Sequence, residues 1–549
     1  MNNHLSNNLD RAGNALIEVS QLYFTPQAFS AKSEPAFVEL SLVLADGSMA
    51  TAILPMSQLN SSGLHQAMPR FLVPRKHRDV FDAALLDEVH RLIALSSSHL
   101  LQSPDGGETC IGYAFTQTGM HQLPNGQYVY VWRDRVLGNC DLPYIVRCSD
   151  SVIPKILPLE SPLSQLFSEL TYSDPQATLA FVFLCTTLLR SWITNQVPSW
   201  QAVLAIVGGQ GLGKTTLARR LTDWLQGSDG APAQLFSAGS TVSAIRDAMV
   251  SARDLPIVVD DLCLSASTQL QRKYRDLGAQ LVREGANAAP IVKKLPDGKS
   301  IKQHCAAGVI LTAEFSLENA SDITRCIFID LDQPLSLSAG LQAGLIGAAC
   351  QCFIAWILCN RPNLHKKIQK AQKHTSFYRY DQRVEHNFEV LDAVFDSLAH
   401  AALADGASPR CVDAIHTQYC VAVDRSLQFQ EGLLNQLERQ RKKGNIAALL
   451  LAGYESDAFD LCKKVEKLDR HEGIIWHGDL CLRREPLERF IRIQDGYACY
   501  NISKIVYELT NIGALVLQEE GTAQVRLKKG TPRVYRIRLD VLEDEAQEF

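Results

Sequence analysis

Gly208, Gly213, Lys214 and Thr215 stand in the order G-x-x-x-x-G-K-T, between the apolar run "VLAIV" and the amphipathic stretch "LARRLTDWL". That order suits a loop wrapped around phosphate. Glycines let backbone N–H groups turn inward, the lysine reaches β and γ oxygens, and the hydroxyl completes a Mg²⁺ shell. On this reading Gly208, Gly209, Gln210, Gly211, Leu212, Gly213, Lys214, Thr215 and Thr216 form an ATP-binding loop. A glycine turn with a chance lysine is the bland alternative; the strand before and the helix after argue against it.

Farther along, "LPIVVDD" is an apolar strand ending in Asp260 and Asp261. In-line phosphoryl transfer depends on positioning and charge compensation rather than covalent chemistry. Asp260, with Thr215, is therefore the candidate holder of Mg²⁺, and Asp261 the candidate to orient and deprotonate the attacking water. "GVILTAEF" supplies a further strand whose polar tip, Thr312 and Glu314, is suited to touch the γ-phosphate or that water. Arg325 in "DITRCIFIDLD" precedes the last strand and could reach a nucleotide on a neighbouring subunit; a surface ion pair is an equally good local reading.

Two basic segments remain. "APIVKKLPDGKSIKQH" has two β-prone arms around Pro296-Asp297-Gly298, a hairpin signal, and carries Lys293, Lys294, Lys299 and Lys302. "QVRLKKGTPRVYRIRL" sets Arg526, Lys528 and Arg533, followed by Arg536 and Arg538, on strands around a glycine tip. Either segment is a solvated face or a set of nucleic-acid phosphate contacts. The helix "ISKIVYELTNIG" carries few cations, which argues against reading bases in a major groove.

These residues need elements to hold them. The chain has 549 residues, 46% hydrophobic and 21% charged, the balance of an ordinary soluble protein of several domains. A net charge of -5 gives no global attraction to a polyanion. Fifteen cysteines without a C-x-x-C pair suggest neither a disulfide framework nor a zinc ribbon, and "HEGIIWH" spaces its histidines wrongly for a helical metal site. The N-terminus lacks a signal-peptide pattern. The apolar runs from Ala177 to Leu189 and Leu345 to Leu358 fall short of the ~20 residues of a membrane span. A cytoplasmic protein without membrane contact is expected.

Residues 1–150 read as β-rich, with turns at Asp46-Gly47 and Pro124-Asn125-Gly126. A helical stretch from Leu163 to Thr194 leads to strands at Val203–Val207, Leu235–Ser237, Ile257–Asp260, Val309–Thr312 and Ile327–Leu331, the alternation of a parallel α/β sheet. Residues 160–335 are this core. Residues 336–468 read as helical throughout, and 470–549 as one helix and two strands around a glycine-rich tip.

The order of phosphate loop, "VVDD", basic hairpin, "LTAE", arginine, helical segment and C-terminal helix with two strands resembles AAA+ helicases of mobile genetic elements. It is similar to the MCM-like branch of staphylococcal cassette chromosomes and to the bacterial family catalogued as domain of unknown function 927. The resemblance is best from about Phe167 to Asp332 and looser in "GMHQLPNGQYVYVW" and the C-terminal segment. It implies an α/β fold: a P-loop AAA+ core with flanking helices, a β-rich N-terminal domain, a helical lid and a winged-helix domain. It further implies a homo-oligomer, a hexameric ring, with Lys293, Lys294 and Lys299 gripping single-stranded or forked DNA in the channel. Arg325, behind Thr324, approximates the family's Ser-Arg finger. Asp260-Asp261 departs from the Asp-Glu usual in MCM proteins and matches papillomavirus-type superfamily 3 helicases. The expected activity is ATP hydrolysis coupled to DNA unwinding; the alternative is a nucleotide-switched initiator or defence protein that binds DNA or a partner without processive unwinding.

Overall fold

The computed structural model describes residues 16–28, 34–43, 49–67, 78–99, 111–132, 135–148, 152–197, 200, 202–227, 230, 232–263, 268–286, 291–294, 300–373, 382–443, 446–494, 500–517 and 523–547. Its secondary structure falls into two compact units, Met1–Gln430 and Glu431–Phe549.

In the first unit, β1 (Leu16–Phe24), β2 (Phe37–Val43) and β3 (Met49–Pro55) form an antiparallel meander. Residues 44–48, which hold the expected Asp46-Gly47 turn, lie outside the described residues. After helices α1 (Ser61–Ala67) and α2 (Arg78–His99), β4 (Ile111–Phe115) pairs parallel with β1. The sheet has the order β3-β2-β1-β4-β8, with β8 at Tyr144–Val146. Helix α2 is an addition to the β-rich reading of this region, which named no helix there. Phe81, Leu85 and Val89 recur at helical spacing and are buried against Val38, Leu40 and Leu54.

A separate small sheet contains β5 (Gly119–Gln122), β6 (Tyr128–Val131) and β7 (Val136–Leu137). Its β5–β6 turn is the one expected at Pro124-Asn125-Gly126; the Asn125 side chain accepts from the Gln127 amide at 2.9 Å and Gly126 has φ 83°. This sheet docks through a buried carboxylate. Asp254, fully buried, accepts from Met120 N at 2.9 Å, and from both N and Oγ of Ser191 at 2.5 Å. Arg253 donates to Met120 O at 2.7 Å, and Trp132 meets Trp224 edge-on with ring centroids 5.6 Å apart. Burial pushes the Asp254 carboxyl upward, while Arg253 and the Ser191 and Met120 donors oppose that shift. Removing one partner from such a buried polar network costs about 3–5 kcal/mol.

The central sheet follows α3 (Pro162–Thr171), α4 (Pro175–Thr187) and α5 (Arg190–Gln196). Asp174 caps α4 by accepting from Gln176 N at 2.9 Å, and Pro175 occupies its first turn. α4 is apolar all round and almost wholly buried, as a core helix must be. The five sheet strands are β10 (Val203–Gly208), β12 (Leu235–Ser237), β13 (Pro256–Leu262), β16 (Gly308–Ala313) and β17 (Cys326–Leu331), with short β9 (Ile153–Pro154) and β11 (Leu225–Gln226) pairing elsewhere. All five run parallel in the order β12-β13-β16-β10-β17. They occupy the expected positions because a parallel sheet covered on both faces is built from unbroken apolar runs.

Helices α6 (Lys214–Thr222), α7 (Val242–Ser251), α8 (Thr268–Ala286) and the single-turn α9 (Ala320–Ile323) connect these strands. Between α8 and β16, β14 (Ile291–Lys294) and β15 (Ser300–Gln303) pair antiparallel. Three long helices follow: α10 (Ala343–Lys373), α11 (Gln382–Ala404) and α12 (Pro409–Lys443). The apolar run at Leu345–Leu358 was expected to fall short of a membrane span. Its helix instead carries a stretch, Ala343–Lys370, long and apolar enough to cross a bilayer, with the most apolar part of it 56% buried inside the protein.

The second unit contains α13 (Ile446–Glu455), β18 (Leu461–Cys462), β19 (Gly473–Trp476), β20 (Asp479–Leu482), α14 (Arg484–Arg492), α15 (Ile502–Asn511), β21 (Gln524–Val525), β22 (Val534–Arg538) and α16 (Leu539–Gln547). Strand order is β18-β19-β20-β22-β21. Leu450, Leu480, Leu487, Ile505, Leu509 and Ile537 fill its core. The reading of continuous helix to residue 468 fails here, for β18 begins at Leu461. "HEGIIWHGD" is a hairpin: His477 (φ 53°) and Gly478 (φ 87°) form the left-handed pair that a two-residue turn requires.

Candidate functional site

β10, the first strand of this sheet in sequence, lies between the last two, β16 and β17, so its C-terminal end opens at a topological switch point, where open α/β sheets bind ligands. The residues from Gly208 to Gly213 link that end to α6. A Cβ on Gly208 would lie 2.5 Å from Leu331 O, so only glycine lets the loop leave the sheet there. Gly213 holds φ 96°, a left-handed conformation that starts α6. The loop is braced from behind by Leu335 N, which donates to Leu212 O at 3.0 Å.

Lys214 curls over this loop. Its Nζ donates to Gly208 O at 2.9 Å and Gly209 O at 2.7 Å. Carbonyl oxygens thus hold the ammonium where phosphate oxygens would compete for it. Thr215, on the first turn of α6, donates to Asp260 Oδ1 at 2.9 Å. Gln210, Gly211 and Leu212 complete the loop and Thr216 continues the helix.

Asp260 and Asp261 sit where β13 departs from regular pairing with β16. Val259 pairs with Leu311 but Leu262 with Ala313, so one extra residue bulges from β13. Asp261 has φ 70° and an exposed side chain. A non-glycine residue in that region costs of order 1–3 kcal/mol and persists only where its surroundings hold it. Here the holder is Thr312: its hydroxyl accepts from Asp261 N at 3.0 Å and donates to Asp260 Oδ1 at 2.5 Å. Asp260 Oδ1 therefore receives two hydroxyls, from α6 and from β16. The bulge also gives the two carboxylates different surroundings.

The structure brings the loop, Thr215, Asp260, Asp261 and Thr312 to one edge of the sheet. Arg325 is not among them. Val203 pairs with Cys326 and Gly208 with Leu331, so Arg325, one residue before Cys326, lies at the opposite edge, six residue steps or roughly 20 Å from the loop. Its Nη1 donates to Ser321 O and Ser321 Oγ, both at 2.5 Å. Burial, then the charge of Arg383, pushes its guanidinium pKa down. Arg383 Nη1 donates to Thr324 Oγ1 at 3.1 Å, and Arg283 grips buried Asp322 with two bonds of 2.8 Å. Three arginines thus gather where sequence reading named one; Arg383 arrives from α11 and Arg283 from α8, and nothing local to Arg325 announces either.

A third arginine missed from sequence, Arg425 on α12, stands at the end of β17, donating to Asp330 O and Asp332 Oδ1, each at 2.7 Å. Lys293 and Lys294 lie on β14 and Lys302 on β15. Lys299 and the Pro296-Asp297-Gly298 turn lie outside the described residues, as do the side chains of the hairpin. In the second unit Arg526 and Arg533 are exposed, whereas Lys528 pairs with Glu466 at 2.6 Å and Arg536 with Asp479 at 2.5 Å. Those pairs reduce the charge free for a polyanion. Among the described residues no cluster of His, Cys, Asp and Glu has the form of a metal centre.

No family model matches the sequence, so the resemblance to the domain of unknown function 927 family has no match behind it, and no curated protein matches either. Solved structures do match. One, described as "SCCmec type IV Cch - active helicase", has a TM-score of 0.56 and 14% identity, covering 96% of this chain and 95% of that one. A JCV helicase structure covers 45% of this chain and 59% of its own at 11% identity, with a TM-score of 0.19, too low to carry an argument. This chain shares, over nearly its whole length, the fold of a helicase.

Proposed function

We propose that the protein is an ATP-driven ring motor of the AAA+ type that translocates on or unwinds DNA, serving a mobile genetic element in the cytoplasm. The single observation that carries this reading is the pair of opposite sheet edges. Lys214, Thr215, Asp260 and Asp261 crowd one edge, while Arg325 and its neighbouring arginines crowd the other. An arginine that far from its own loop can reach a triphosphate only on another copy, which calls for a head-to-tail ring. In this account Thr215 and Asp260 hold Mg²⁺, Asp261 orients the attacking water, and a hexamer is the closed form. Mg²⁺, if held by Thr215 and Asp260, would supply charge compensation to the phosphates.

The helices α10 to α12 act as a lid and linker (336–468), and the segment β20-α14-α15-β21-β22 as a winged helix within 470–549, after a β-rich domain over 1–150 and the ATPase core over 160–335. The β14–β15 hairpin is the DNA grip, with Arg526, Lys528 and Arg533 as outer phosphate contacts. The alternative, a nucleotide-switched initiator or defence protein, predicts slow turnover indifferent to DNA.

Steady-state ATP turnover with and without single-stranded DNA separates the two. The motor predicts stimulation. Lys293→Ala, Lys294→Ala and Lys299→Ala combined should leave basal turnover within a few-fold of wild type while abolishing that stimulation. The salt slope of single-strand binding should become shallower by ~2, at ~0.7 per lost phosphate contact. Turnover unaffected by DNA in the wild type would favour the switch.

A further inference from the structure

We infer that Thr312 is a positioning residue that divides the work of Asp260 and Asp261, and not a contact to the γ-phosphate. The inference rests on the ATPase reading above. A threonine hydroxyl has one proton to donate and two lone pairs. The proton of Thr312 goes to Asp260 Oδ1 at 2.5 Å, and a lone pair takes the Asp261 amide at 3.0 Å. Phosphate oxygens are acceptors, so a hydroxyl that contacts them must donate. Thr312 cannot donate there without releasing Asp260. Its side chain is also 1% exposed, which keeps it behind the two aspartates.

What the hydroxyl does is fix the bulge. By holding the Asp261 amide it keeps that residue at φ 70°, with its carboxylate turned out to solvent. By holding Asp260 Oδ1 it presses that carboxylate onto Thr215, 2.9 Å away. One aspartate is thereby committed to the cation shell and the other is left to orient water, although the two are consecutive. Two adjacent carboxylates on a regular strand would instead face opposite sides of the sheet. Glu314, two positions beyond Thr312 and just past the end of β16, is partly exposed; its carboxylate only accepts, so it suits water rather than phosphate oxygens.

The test compares Thr312→Val, Thr312→Ser and Thr312→Cys in the full-length protein, measuring kcat alongside calorimetric affinities for Mg²⁺-ATP and Mg²⁺-ADP. Thr312→Val should lower kcat by about 10²-fold, the scale of a small misplacement of a reacting group. Affinities for ATP and ADP should each stay within about threefold, leaving their ratio unchanged. Thr312→Ser should restore kcat to within about threefold of wild type.

Should the valine variant fail to melt cooperatively, Thr312→Cys, with similar volume and a weaker donor, should fall between valine and serine. A tenfold loss of ATP-over-ADP preference would instead assign Thr312 to the γ-phosphate. Wild-type kcat in Thr312→Val would equally overturn the inference. Lys214→Ala, run in parallel, separates the failures. If it keeps its turnover, the ATP site itself is misassigned; if it is inactive while Thr312→Val is fully active, only the positioning role fails.

Discussion

Lys214→Ala should lose ATP turnover to below detection, and Asp261→Asn should bind ATP normally yet leave it uncleaved. The two substitutions remove different things. Lys214 is the cation of the loop, already poised over Gly208 and Gly209 with its ammonium held by their carbonyls. Incoming phosphate oxygens exchange for those carbonyls, and without the lysine their charge goes uncompensated. One such stabilising group is worth about 10²–10³ in rate, and here it also supports binding. Asp261 touches neither the loop nor Thr215; its exposed carboxylate stands at the bulge, available to orient water. Phosphate release and nucleotide retention by filtration, measured on the same samples, should therefore show both quantities lost in Lys214→Ala and only the first in Asp261→Asn. Unchanged release in Lys214→Ala would place the active site elsewhere.

Arg325→Ala should lower turnover by about 10³-fold or more, the scale of arginine fingers, without weakening nucleotide affinity in the isolated subunit. The reason is its position at the sheet edge opposite the loop. Burial, together with the charge of Arg383, disfavours the charged guanidinium there, and a neighbour's triphosphate would relieve that disfavour. Mixing Arg325→Ala with Lys214→Ala subunits should restore part of the activity, because each mixed ring contains interfaces where an intact loop meets an intact arginine. Turnover in mixtures no greater than the sum of the separate variants would remove the trans role and leave Arg325 a local partner of Ser321.

The phosphate loop and the five parallel strands were legible because their signals are local. "GGQGLGKT" is contiguous, and strands buried on both faces declare themselves as apolar runs such as "VLAIV" and "CIFID". Helix α2 was legible in principle, since Phe81, Leu85 and Val89 keep its period, but alternating segments on either side masked it. What depended on long-range pairing was hidden. The bulge at Asp260-Asp261 exists only in the register of β13 with β16, so "VVDD" could suggest a pair of carboxylates but not that Thr312 divides them. Asp254 in "SARDLPIV" looks like any loop aspartate until β5 brings Met120 to it. Arg383 joins Arg325 only when α11 folds back. The basic strands showed their cations but not their partners, since Lys528 and Arg536 meet Glu466 and Asp479 from elsewhere in their own unit.

The central claim is that hydrolysis at Lys214 moves DNA strands apart, and a strand-displacement assay on a forked duplex tests it most directly. With ATP and Mg²⁺ the wild-type protein should release the displaced strand over successive turnovers, while Lys214→Ala, and the wild type given a non-hydrolysable ATP analogue, should release none. Vigorous ATP turnover with no displacement from forks of either polarity would contradict the account.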